Sequence, residues 1–211
     1  MSFDINEAVF DAKGTSLEEQ ALRYEHDLME QFAASPEGQA LTQRGTELGW
    51  AGVLIHYAIS SLGVTPATMT PSDLDAVVFG LFPRKVITES GDGAEIIQEL
   101  GAFWRFLQRV YQLPQAELML ARLTPQAAQR LERELQEPTN FGLAKSFVLL
   151  GVSAGFDMES PEGMRAWVDA YNATVAPTLA ATEPPPKKQA RGTTKGTRSA
   201  QRRKRKRTTS Q

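Results

Sequence analysis

Cysteine is absent from all 211 residues. Its absence removes disulfides, thiolate metal sites, iron–sulfur clusters and cysteine nucleophiles together, and is compatible with a reducing compartment. Histidine is nearly as scarce, with only His26 and His56. A carboxylate-bridged di-metal site in a helical bundle needs Glu-x-x-His twice, but Arg23 and Val53 stand where the glutamates would be. No Walker motif and no G-x-G-x-x-G loop is present, so nothing points to a glycine-rich phosphate cradle. No metal and no cofactor is therefore expected.

Long hydrophobic runs are also missing. The two longest, Trp50 to Ile59 and Phe147 to Phe156, fall far short of the roughly 20 residues that span a bilayer. Both read as core helices, and no membrane partner is expected. The start, Met1 to Glu7, has neither a positive n-region nor an apolar stretch, which argues against a secretory signal and for a place inside the cell.

What the chain does have is helix grammar. Ser35-Pro36, Thr70-Pro71, Thr124-Pro125 and Ser160-Pro161 each set a capping hydroxyl before a proline at the first helical position, where the missing amide costs nothing. Ser16 and Glu19 have capping-box spacing before a helix from about Leu17 to Ala34. In that helix Leu22, Met29 and Phe32 read as the core face, with Glu18, Glu25 and Asp27 left to solvent. Strand signals are thin: Lys85 to Thr88 is short and runs into the turn cluster Ser90 to Gly93, so it reads as an extended connector. The fold class is all-α, one compact domain over residues 15–173 with seven to nine helices. A flexible N-terminus (1–14) precedes it, and a Pro-rich linker (174–186) and a disordered basic tail (187–211) follow.

Several segments invite a catalytic or ligand-binding reading and carry it poorly. Gly151-Val152-Ser153-Ala154-Gly155 matches the G-x-S-x-G nucleophile pattern, but that pattern works where a strand turns sharply into a helix. Here a helical stretch precedes it and both histidines lie upstream, so close helix packing ended by Gly155 is the better reading. His26 and Glu30 sit one turn apart, as an ion pair would. His56 lies among apolar residues beside Trp50 and Tyr57 and marks a possible groove for a protein or small apolar ligand. Along 94–113, Ile96, Leu100, Phe103, Leu107 and Val110 share one face, and that spacing means core. Arg84-Lys85 forms a small basic spot suited to an acidic partner or to capping a helix end.

The charge distribution is the exception. Residues 183–211 hold eleven of the 23 lysines and arginines against one acid, whereas residues 1–182 carry 24 acids against 12 bases. The basic segment has no aromatic and no large aliphatic residue, so burial cannot offset its ordering entropy and it should be disordered when free. Lys187, Lys188, Arg191, Lys195, Arg198, Arg202, Arg203, Lys204, Arg205, Lys206 and Arg207 are the expected phosphate contacts to DNA or RNA. Such contacts release counterions and are salt-sensitive. Without stacking side chains they read the backbone and not the bases.

The expectation is thus a non-enzymatic helical interaction or scaffold protein. It would be cytoplasmic, at the nucleoid in a bacterium or in the nucleus of a eukaryote, where Lys187-Lys188 and the 202–207 block resemble a bipartite import signal. The alternative is a protein- or ligand-binding helical module whose tail serves only for targeting or solubility.

Overall fold

The computed structural model of the chain describes residues 3–175. Among them lie nine helices and no strand. They are α1 (Glu18–Ala34), α2 (Pro36–Thr42), α3 (Trp50–Tyr57, continued by a π-helical turn Ala58–Leu62), α4 (71–85), α5 (Asp92–Tyr111), α6 (Ala116–Leu120), α7 (Pro125–Gln136), α8 (Leu143–Ser153) and α9 (Pro161–Ala170). In α4 a regular start, Pro71–Ala76, passes through a π-helical stretch, Val77–Leu81, into a last turn, Phe82–Lys85. The chain divides into two units, Met1–Met164 and Arg165–Gln211. In the second, the rings of Trp167 and Tyr171 meet edge to face at 5.5 Å. No described helix is long and apolar enough to cross a membrane.

All four hydroxyl–proline signals form real caps. Ser35 accepts from the Gly38 amide, Thr124 from Ala127 and Ser160 from Gly163, while Thr70 and Asp73 make a full capping box. Each works because the capping oxygen and the amide it satisfies are three residues apart, independent of the rest of the fold. The Ser16–Glu19 box does not form. Ser16 is held in an antiparallel bridge with Phe10, the Leu17 amide donates to Val9, and α1 begins at Glu18 without a side-chain cap.

That bridge belongs to an N-terminal stretch that is not a flexible lead. Ile5 and Val9 are buried, and the Tyr24 hydroxyl donates to the Ile5 carbonyl at 2.9 Å. The core face of α1 is accordingly Tyr24, Leu28 and Phe32, spaced four apart, and Leu22 is 58% exposed. The expected face was rotated because Tyr24, apolar in its ring and polar at its tip, takes the position that covers residues 3–9.

The core gathers on α5. Ile96, Leu100, Phe103 and Leu107 are buried as their spacing predicts, but Val110 is exposed and Trp104 is fully buried in its place. The rings of Phe32, Phe103 and Phe106 form a cluster with centroids 5.3 to 6.3 Å apart. Among its neighbours, α5 packs most extensively against α7. There Gly93 lets the backbones close, since a Cβ at that position would meet the Glu132 amide nitrogen at 2.8 Å.

The two apolar runs end differently. Ala51, Leu54, Ile55, Ala58 and Ile59 are buried as expected for α3 and its π-helical turn. The run in α8 is not a core helix: Leu143, Leu150 and Val152 are exposed, and only Lys145 and Gly151 of that helix are buried. Ser153 lies in its last turn and Gly155 ends it at φ 86°, with the Phe156 amide reaching back to Gly151, so G-x-S-x-G is a helix terminus here.

Candidate functional site

Helices α1 and α3 build the cleft that the sequence marks at His56. Glu25, Met29, Gly52, Val53, His56 and Tyr57 surround a depression of about 360 Å³. His56 Nδ1 lies 3.6 Å from a Glu25 carboxylate oxygen, and its ring meets Tyr57 edge to face at 5.3 Å. Half-burial pushes the Glu25 carboxyl up, and the imidazole opposes that shift. Lys85 contacts the Tyr57 ring, its ammonium 4.8 Å from the ring centroid and 3.3 Å from Ser61 Oγ. Of the three expected groove residues, His56 and Tyr57 meet here. Trp50 does not; it packs on Phe82 with ring centroids 6.2 Å apart.

The floor of this region depends on a buried carboxyl group that no local pattern announces. Glu99 of α5 is fully buried, and its carboxylate accepts the Gly49 amide at 3.0 and 3.2 Å and the Ala51 amide at 2.9 Å. It caps α3 from 48 to 50 residues away in sequence, supplying the acceptors that the amides of a helix start require. Burial pushes its carboxyl up, against the pull of the backbone donors. The counterpart at helix C-termini is Lys145. Its buried ammonium donates to the Pro83 and Leu135 carbonyls at 3.1 and 3.2 Å, at the ends of α4 and α7, and burial pushes its pKa down.

A larger groove lies over the exposed face of α5. Ala94, Gln98, Gly101 and Arg105 recur at helical spacing to form its floor. On one side Pro125, Ala128 and Glu132 of α7 wall off about 770 Å³. On the other, Glu37, Ala40 and Arg44 in and after α2 enclose about 640 Å³. Gln98 and Arg105 line both halves, which adjoin at these two side chains. Glu132 is held by the Gly91 and Gly93 amides, each at 3.0 Å, and so caps α5 from α7. The Asp92 carboxylate instead accepts the Glu89 amide. Glu37 takes two hydrogen bonds from Arg109, at 2.7 and 2.8 Å, which hold its carboxyl down at about 2.

This groove was not anticipated. The signal available was the run of small residues, Ala94, Gly101 and Ala102, on a long and otherwise bulky helix. Small residues suit close packing as well as an open floor, so the pattern alone does not decide. At Gly101 the space is open, because a Cβ there would meet only the Arg105 guanidinium, at 3.7 Å.

His26, Asp27 and Glu30 do come within 4.8 Å of one another, at the surface. The expected phosphate contacts, Lys187 through Arg207, lie outside the described residues. Compared with known proteins, the chain matches no family model, no curated protein and no solved structure.

Proposed function

We propose that the protein is a non-enzymatic helical adaptor. Its acidic body holds a protein partner, and residues 183–211 make sequence-nonspecific contacts with DNA, RNA or a nucleic-acid-rich assembly. The observation that carries this reading is the charge partition, eleven cations against one acid in the last 29 residues behind a body with 24 acids and 12 bases. Each phosphate neutralised releases condensed counterions, which favours binding without base readout. The working place implied is the cytoplasm, at the nucleoid in a bacterial cell or in the nucleus of a eukaryotic one.

The test compares the full chain with a chain ending at Thr182 on unrelated DNA and RNA at two salt concentrations. Binding that is lost on truncation and falls steeply with salt supports the reading; equal binding by both chains refutes it. The groove over α5 favours a second reading, in which partner binding by the body is the whole function and the segment only addresses or solubilises it. Truncation would then change localisation or solubility and leave nucleic-acid binding absent in both chains.

A further inference from the structure

The groove over α5 differs in charge from the body around it. Two carboxylates line it and both are engaged, Glu37 by Arg109 and Glu132 by two backbone amides. Two guanidiniums also line it, Arg44 and Arg105, and neither has a carboxylate within ion-pairing distance among the described residues. Two guanidiniums without a carboxylate partner thus face the groove, in a body whose residues 1–182 carry twice as many acids as bases. The basic segment of the same chain, with eleven cations and one acid, is poorly matched to those two guanidiniums.

Shape narrows the occupant further. From Ala94 to Arg105 the floor is about 16 Å long at 1.5 Å per residue, the length of three helical turns. Ile97 and Gly101 on the floor and Ala128 on the wall give it an apolar, low-relief lining, which suits a helix laid in lengthwise. We infer that this groove docks an acidic amphipathic helix of a partner protein, with apolar side chains over Gly101 and Ala128 and carboxylates against Arg44 and Arg105. The inference rests on the adaptor reading and names the chemistry of the partner that the body holds.

The basic segment would attract any acidic peptide, so the test must separate the groove from it. A labelled peptide of about 16 residues, built from Leu, Ala and Glu with apolar positions at i, i+3, i+4 and i+7, is titrated into the full chain. A scrambled isomer of the same composition and charge is the control. The basic segment binds both alike, whereas the groove should hold the amphipathic isomer about tenfold more tightly. Arg44→Glu with Arg105→Glu should close that gap, and Gly101→Leu should close it with every charge intact. Thermal melting confirms that each variant folds.

No gap in the wild-type chain, or a gap that survives charge reversal, overturns the proposal. So does a concentration-dependent dimer that Arg44→Glu with Arg105→Glu dissolves, since the occupant would then be a second copy. Nucleic-acid binding is read separately through truncation at Thr182 and should be unchanged in the groove variants. Failure of one reading is therefore distinguishable from failure of the other.

Discussion

Residues 1–182 and residues 183–211 use charge in opposite ways. Among the described residues of the body, six lysines and arginines are engaged: Arg23, Arg109, Arg122 and Arg130 in ion pairs, Lys85 over Tyr57 and Lys145 in buried hydrogen bonds. Carboxylates there also do structural work, with Glu99 and Glu132 capping α3 and α5 from other helices. The last 29 residues have one acid for eleven cations, so their charge is not balanced within the segment. Charge paired between neighbouring side chains stabilises a fold, and a run of like charge is available to a partner.

That comparison breaks if the body's buried charge turns out to be dispensable. Glu99→Ala removes the acceptor for two amides at the start of α3 and opens a cavity in the core. It should cost about 3 kcal/mol, read from the shift in the denaturant midpoint at constant slope. A loss below about 0.5 kcal/mol would make Glu99 equivalent to a surface charge.

A smaller effect has a definite sign. The folded-state pKa of Glu99 is raised by burial, so folding favours its protonated form. Its stabilising contribution is fully present below the ordinary carboxylate range and is lost as pH rises through the folded pKa. Relative to the wild-type chain, Glu99→Gln should therefore gain stability as pH rises above the ordinary carboxylate range. Glu37 runs the other way. Held at about 2 by Arg109, its contribution is present above the ordinary range and lost as pH falls toward that value. The pair is surface-exposed and salt-screened, so the loss is small. Denaturation curves of Glu99→Gln and Glu37→Gln against pH should slope in opposite directions from the wild-type chain.

The smallest effect is a control. Trp104 Nε1 is buried with no acceptor among the described residues, so its removal forfeits no hydrogen bond. Trp104→Phe should lose packing volume but relieve an unsatisfied donor, for a net change of about 1 kcal/mol or less. A much larger loss in a thermal melt would mean that the indole N–H has a role the fold does not display.

The parts of the fold legible in the sequence were those set by neighbours in the chain. Four caps, the end of α8 at Gly155 and the core stripe Ile96 to Leu107 depend on spacings of three or four residues, and all formed. The illegible parts depend on distant partners. Ser16 has the spacing of a cap, but its bridge to Phe10 fixes it elsewhere. Phe147 to Phe156 is as apolar as Trp50 to Ile59, yet what covers a helix is decided by the other elements, and α8 keeps Leu143 at 93% exposure. Within the candidate site, His56 was visible as a polar residue in an apolar run. The cationic groove was not, because Arg44 and Arg105 are 61 positions apart in the chain and meet only when α2 packs on α5.

The central claim is that the charge of residues 183–211 is there for phosphate, and the salt dependence of binding tests it most directly. The logarithm of the binding constant of the full chain for random-sequence duplex DNA is measured against the logarithm of salt concentration, beside a chain with Arg202 through Arg207 replaced by glutamine. The account predicts a linear fall of about 0.9 per phosphate contacted, the same for unrelated sequences. It also predicts a slope shallower by up to about 5 when those six cations are removed. Binding that is flat with salt, depends on base sequence, or keeps its slope in the glutamine variant would contradict it.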